Sequence, residues 1–139
     1  MRADHEPPHA EATNEIAGDR DALIFNELVA WAWQETPPVH ENRTNLLIHL
    51  VAVPAFAIGH VAVVIGSLAW TAWPVMVGAG VIALSLVAQK HGHSLERRPV
   101  HAFTSRKDFI RRLYAEQFYN FWRFLFSGRW YASFKEARP

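Results

Sequence analysis

Eight histidines and no cysteine are the chemical resource of this 139-residue chain. The missing thiols exclude disulfides, thiolate metal sites and cysteine-ligated iron–sulfur clusters, leaving imidazole, carboxylate and amide groups as protein ligands. Six of the histidines fall between His40 and His101. With their polar neighbours four of them form two groups, one of His40, Asn45 and His49 and one of Gln89, His91, His93 and Glu96. Asn45 and His49 are four residues apart and share one face of a helix. His91 and His93 cannot share a face at a spacing of two, but Gly92 between them can break a helix and let the chain turn. Imidazoles with a carboxylate suit iron(II), zinc, copper or nickel. Three protein ligands with open positions suit a non-haem iron oxygenase or a metal hydrolase. The plainer alternative is that interfacial histidines only solvate helix ends, which fits His91 and His101 better than His49 and His93, since these two lie in or against apolar runs.

The element that must bring the two groups together is a stretch of 46 residues, Thr44 to Gln89, with no Asp, Glu, Lys or Arg. A bilayer core is about 30 Å thick and a helix rises about 1.5 Å per residue, so one span needs roughly 20 apolar residues. The stretch therefore predicts two transmembrane helices, over 44–69 and 72–90, with Trp70, Trp73 and Pro74 marking the turn. Pro54, Gly59, Gly66, Gly78 and Gly80 suit closely approaching membrane helices better than helices in water. The competing reading is a soluble protein with two buried helices, which the remaining chain could hardly cover. From a turn centred near Ala72, His49 lies 23 residues back and His93 21 residues forward. Their depths then differ by only about 3 Å. His60 returns to nearly the same face as His49 but about 16 Å deeper, too far to share a metal, and is expected to bond the partner helix.

The flanks read as helical too. Residues 19–36 form an amphipathic helix whose apolar face is Ile24, Phe25, Leu28, Val29, Trp31 and Ala32, stopped by Pro37 and Pro38. Residues 105–127 predict a second, opened by Ser105 and Asp108 as a capping box and stopped at Gly128. Its Arg111, Arg112 and Arg123 fall mostly opposite the aromatic residues, which suits a membrane surface; a partly re-entrant helix or one packed on the hairpin is the alternative. The expected fold class is thus all-α, an integral membrane helical hairpin with flanking amphipathic helices, and 19–139 form a single membrane domain. Residues 1–18 are polar, hold Pro7 and Pro8, and read as a disordered tail and no signal peptide.

The net charge of +1 gives no argument for nucleic acid. The distribution of charge is more telling. The turn between the spans has no Lys or Arg, whereas Arg43, Lys90, Arg97, Arg98, Arg106 and Lys107 crowd the other ends, so both termini are expected in the cytoplasm. Arg97 and Arg98 fit a solvated basic edge on anionic lipid, or carboxylate anchors for an amphiphilic substrate.

The segments His40-Glu-Asn-Arg-Thr-Asn45-Leu-Leu-Ile-His49, followed by Val53-Pro54, and Gln89-Lys-His-Gly92-His93-Ser-Leu-Glu96-Arg-Arg-Pro99 resemble the two signature segments of a family of small membrane proteins that includes the fungal 2-hydroxy fatty acid dioxygenase. The likeness covers roughly Phe25 to Pro99. It implies an iron(II)-dependent dioxygenase of fatty acid α-oxidation, with Fe(2+) held by His40, His49 and His93, and with Asn45 and Glu96 as further site residues. Its partners would be the bilayer and a fatty acid or related lipid substrate. Only two residues separate His93 from Glu96, where the family usually has three, and the second apolar block is shorter. Both departures imply a divergent bacterial branch, and hence an inner-membrane location. Two other functions remain open: a non-catalytic membrane protein with structural histidines, and an electron carrier with two histidines on a haem.

Overall fold

A computed structural model describes residues 20–36 and 40–138. The 1–18 tail, Asp19 and the Pro37–Pro38 stop lie outside them. Among the described residues the protein is all-helical, with five helices and no strand. They are α1 (Phe25–Glu35), α2 (Arg43–Leu68), α3 (Ala72–Ser94), α4, and α5 (Arg129–Glu136); α4 runs from Arg106–Ala115 through a π-helical turn, Glu116–Asn120, into Phe121–Phe126.

Helices α2 and α3 form the hairpin and make the most extensive helix–helix packing in the molecule. Asn42 caps α2 by accepting the Asn45 N–H at 3.1 Å. The connection is tight: Trp70 sits at φ 51°, and the Thr71 N–H returns to the Gly66 carbonyl at 2.8 Å. Glycine lets the rods touch. A Cβ on Gly78 would lie 2.6 Å from the Gly59 carbonyl oxygen, and one on Gly59 would lie 2.9 Å from that of Gly78. Both helices are long and apolar enough to cross a membrane, and only 28% and 17% of their most apolar windows are buried within the protein. Most of each window is therefore left uncovered by the described residues. Large side chains such as Val51, Ile58, Leu68, Met76 and Leu84 face outward.

Three sequence expectations change. Helix α1 starts at Phe25, not at residue 19, because the segment before it is drawn onto α4. Arg20 bonds Asp108 at 3.1 Å, Ser105 Oγ donates to Asp21 at 2.7 Å, and Lys107 Nζ donates to the Asp21 carbonyl at 2.9 Å. The Glu27 carboxylate then accepts the Ile24 N–H at the new helix start. Helix α3 does not end at Gly92 but runs on to Ser94. A Cβ on Gly92 would lie 2.4 Å from Asn45 Oδ1, so this glycine permits a close approach and breaks nothing. Finally, α4 does not lie free on a surface. It packs on α1 and, through its π-helical turn, on α2, with Arg112 buried.

Ser105 does cap α4, accepting the Asp108 N–H at 3.0 Å. Gly128 ends it with φ 78° and opens α5, an element the sequence reading lacked. Helix α5 packs Trp130 and Phe134 around Leu46, Phe124 and Ala137, and the chain end pairs with the start of α2: Arg138 N–H to Glu41 O at 3.1 Å, Arg43 N–H to Arg138 O at 2.9 Å.

Substituting Gly78→Val should destabilise the hairpin by roughly 1–3 kcal/mol or more, because the obstacle is backbone. Gly80→Ala, with open space around it, should be neutral; thermal unfolding in detergent compares the two. Burial alone would raise the Asp108 pKa, but the Arg20 guanidinium and the Thr104 N–H outweigh it and hold the carboxyl below its ordinary 3.8. A depressed folded pKa gives stability that is present above 3.8 and lost as pH falls through the folded value. Asp108→Asn should therefore cost roughly 3–5 kcal/mol at pH 7, as expected for breaking a buried pair. The gap to the unaltered protein should narrow in acid below pH 3.8, as urea titrations at several pH values would register.

Candidate metal centre

At the open end of the hairpin His40, His49 and His93 converge, and one ring nitrogen from each lies within 4.8 Å of the others. His49 comes from α2, His93 from α3, and His40 from the segment leading into α2. The rings stand edge to face, with centroids 4.6 Å apart for His49–His93, 4.8 Å for His40–His49 and 5.4 Å for His40–His93. The equal depth anticipated from the turn is what the hairpin delivers: His49 Nε2 and His93 Nε2 are 3.1 Å apart.

Hydrogen bonding orients the rings. His40 Nδ1 meets the Thr36 carbonyl at 2.6 Å, and His49 Nδ1 meets the Asn45 carbonyl at 3.0 Å. A carbonyl only accepts, so both rings carry their proton on Nδ1 and present a lone pair at Nε2. That is the usual outer-sphere arrangement of a metal-binding histidine. The His49 lone pair faces His93 Nε2, and only a proton or a cation between them makes 3.1 Å tolerable. For a first-row ion held at about 2.1 Å by each nitrogen, 3.1 Å corresponds to an N–metal–N angle of about 95°. The His49–His93 pair therefore fits a metal ion as it stands, and because two such bonds span at most about 4.2 Å against the 4.8 Å spread of the three nitrogens, His40 joins it by a small shift of its ring. Burial, stronger than the opposing Thr36 carbonyl and the Glu96 and Glu116 charges, pushes the His40 pKa below its ordinary value, so this imidazole is neutral at pH 7 with its lone pair available.

Asn45 and Glu96 occupy the rim. Glu96 accepts the Glu41 N–H at 3.0 Å, the Asn42 N–H at 3.2 Å and Asn45 Nδ2 at 2.5 Å. It pins the end of α3 to the start of α2 and is not one of the converging three. Asn45 is fully buried, and its carbonyl orients His49. His91 is exposed, on the side of α3 away from the trio, and exposed His101 pairs with Glu35 at 3.0 Å. His60 bonds Tyr114 of α4 at 3.1 Å and not the partner helix, because α4 passes alongside. Arg97 and Arg98 are exposed and do not line the cavity between the three rings, but Arg98 shares a neighbouring open cleft with His40.

That cavity gives the centre of a water molecule about 40 Å³, enough for a few atoms. Helix α4 supplies a wall the sequence reading missed, with Arg112, Gln117, Asn120 and Phe124. Gln117 exchanges amide bonds with Gln89 at 2.5 and 3.2 Å. Polar residues set among Phe118, Phe121 and Trp122 were the available signal. The π-helical turn adds a residue to the turn that carries Gln117 and Asn120, a distortion common where a helix wall serves a site.

His49→Ala should remove bound metal from the purified protein. Gly92→Ala, which forces Asn45 aside, should weaken metal affinity about 10–100-fold, the usual effect of disturbing an orienting partner. Titration with cobalt(II), followed by absorbance, measures both.

Comparison of the chain with protein-family models, with curated proteins and with solved structures finds no match.

Proposed function

We propose that this protein is an integral membrane, iron(II)-dependent dioxygenase that acts on 2-hydroxy fatty acids or a closely related lipid. In this reading α2 and α3 cross a bacterial inner membrane as a hairpin, with both termini on the cytoplasmic side. The observation that carries it is the convergence of three imidazoles, two of them oriented by backbone carbonyls, at the open end of two apolar helices. The exposed apolar sides of those helices supply a reason for lipid around them, and the uncharged turn opposite a basic open end supplies the orientation. The likeness of the His40–His49 and Gln89–Pro99 segments to the dioxygenase family supports the choice of metal and substrate.

His40, His49 and His93 would hold the ion, and three protein ligands leave positions for small ligands on a six-coordinate iron. Iron(II) bound there would supply the one-electron chemistry that dioxygen needs to react with an organic acid. The chain contributes the rest. Thr36 and Asn45 fix the ring tautomers, and Val53, Phe121 and Phe124 keep bulk water from the cavity. Glu96 holds the mouth closed around the ligands. The net conversion balances with one dioxygen: a 2-hydroxy acid gives the acid one carbon shorter, carbon dioxide and water. The acyl chain, too large for the cavity, would lie along the hairpin in the bilayer.

Protein purified gently in detergent should hold about one iron per chain and consume oxygen when given 2-hydroxyhexadecanoate. His40→Ala and His93→Ala should each abolish uptake while the protein stays in carbonate-washed membranes. Stoichiometric absence of metal together with no uptake would instead favour a structural role for the histidines, and a Soret band would favour haem.

A further inference from the structure

Beyond the trio, the cavity wall includes two fully buried polar side chains of α4, set among Glu35, Thr36, Gln89, His101, Glu116 and Gln117. Arg112 is 2% exposed and Asn120 1% exposed, yet both line the space beside the histidines. A buried guanidinium is costly unless each edge is used. Arg112 Nε donates to Glu116 at 2.7 Å and Nη1 donates to the His101 carbonyl at 2.6 Å, while Nη2 bonds no described residue. The group lies against the Trp31 and Phe103 rings, 5.2 and 5.0 Å from their centroids, so it is held in place before anything binds. What remains is a fixed, charged donor with no acceptor among the described residues.

Asn120 has the opposite vacancy. Its Nδ2 donates to the Val29 carbonyl at 3.1 Å, which fixes the amide orientation, since the flipped amide would set two oxygens together. Its Oδ1 is then a buried acceptor without a donor. The neighbouring Gln89–Gln117 pair shows the contrast, because those amides satisfy each other and leave nothing for a ligand. A buried orphan acceptor costs about 1–3 kcal/mol and marks a place where a hydroxyl or a water belongs.

We infer that Arg112 and Asn120 form a head-group subsite for a 2-hydroxy carboxylate, with Arg112 Nη2 donating to the carboxylate and Asn120 Oδ1 accepting from the hydroxyl. The two needs are complementary: one wall residue asks for an acceptor, the other for a donor, and a hydroxyl one carbon from a carboxylate offers both on a scale of a few atoms. The size of the cavity admits this head and no chain. Glu116 balances the charge at the Nε edge, so the guanidinium is presented through its other edge as a directional donor. The subsite deepens the oxygenase reading, on which its role in turnover rests, but the binding itself needs no metal.

The test uses metal-free, full-length protein in lipid nanodiscs, titrated calorimetrically with 2-hydroxyhexadecanoate, hexadecanoate and the methyl ester of the hydroxy acid. The unaltered protein should bind the hydroxy acid at least about tenfold more tightly than either other ligand, the scale of one lost charged or buried hydrogen bond. Arg112→Gln should erase the preference for acid over ester, and Asn120→Leu should erase the preference for hydroxy acid over plain acid. Equal binding of all three ligands by the unaltered protein, or both preferences surviving in the variants, overturns the subsite. The three-ligand comparison needs no variant and so decides even if a substitution unfolds the chain. Binding with selectivity in a protein that never takes iron would overturn the oxygenase reading and leave the subsite standing; iron uptake without selectivity would do the reverse.

Discussion

Backbone contact between two helices at Gly59 and Gly78 sets the spacing of everything at the open end. With a side chain at either position the rods would stand apart, and His49 and His93 would no longer reach one another. Between apolar helices the attraction is mostly dispersion, which falls off steeply with distance, so a few ångströms of separation removes it. Register matters as much as distance. A slip of one residue turns a helix face by about 100° and moves a ring out of the trio. The tight turn at Trp70, the glycine contacts and the Gly92–Asn45 approach hold that register at the bottom, middle and top of the hairpin.

Around this frame the buried polar groups come in pairs that close the open end. Arg20 with Asp108 ties the chain before α1 to α4, Gln89 with Gln117 ties α3 to α4, and Glu96 ties α3 to the start of α2. The last pairing also suits the helix dipole, because a carboxylate sits at the positive end of α2. Helices α4 and α5 thus cover the histidines with groups whose hydrogen bonds are largely spent internally. Among the described residues Asn120 Oδ1 and His93 Nδ1 depart from that pattern at the cavity, as Trp130 Nε1 does on α5, and Arg112 Nη2 there has no acceptor.

The hairpin was legible because a long uncharged stretch and a turn rich in tryptophan are one-dimensional signals, and the trio because equal distances from the turn translate into equal depth. The structure adds His40 to that level through the segment before α2, which the spacing alone did not place. The role of Gly92 was misread from composition: glycine in a helix can end it or admit a neighbour, and only the position of Asn45 decides. Helix α4 was misread for a related reason. Its arginines look like a solvent face in projection, but Arg112, bonded to Glu116 one turn on, also lies against Phe103 and against Trp31 of α1, and that contact with a distant segment is one no local period records. Helix α5 left only a weak trace, a short aromatic run after Gly128, and its place is fixed by backbone bonds to Glu41 and Arg43.

In the proposed centre three imidazoles, one from each of three separate stretches of chain, share a single ion. X-ray absorption at the cobalt edge of protein loaded with one cobalt(II) per chain counts them directly. It should show three imidazole ligands with nitrogen near 2.1 Å and the outer-shell scattering of their rings. A spectrum with only oxygen ligands, or with a single imidazole, would contradict the convergence at the mouth of the hairpin and the chemistry drawn from it.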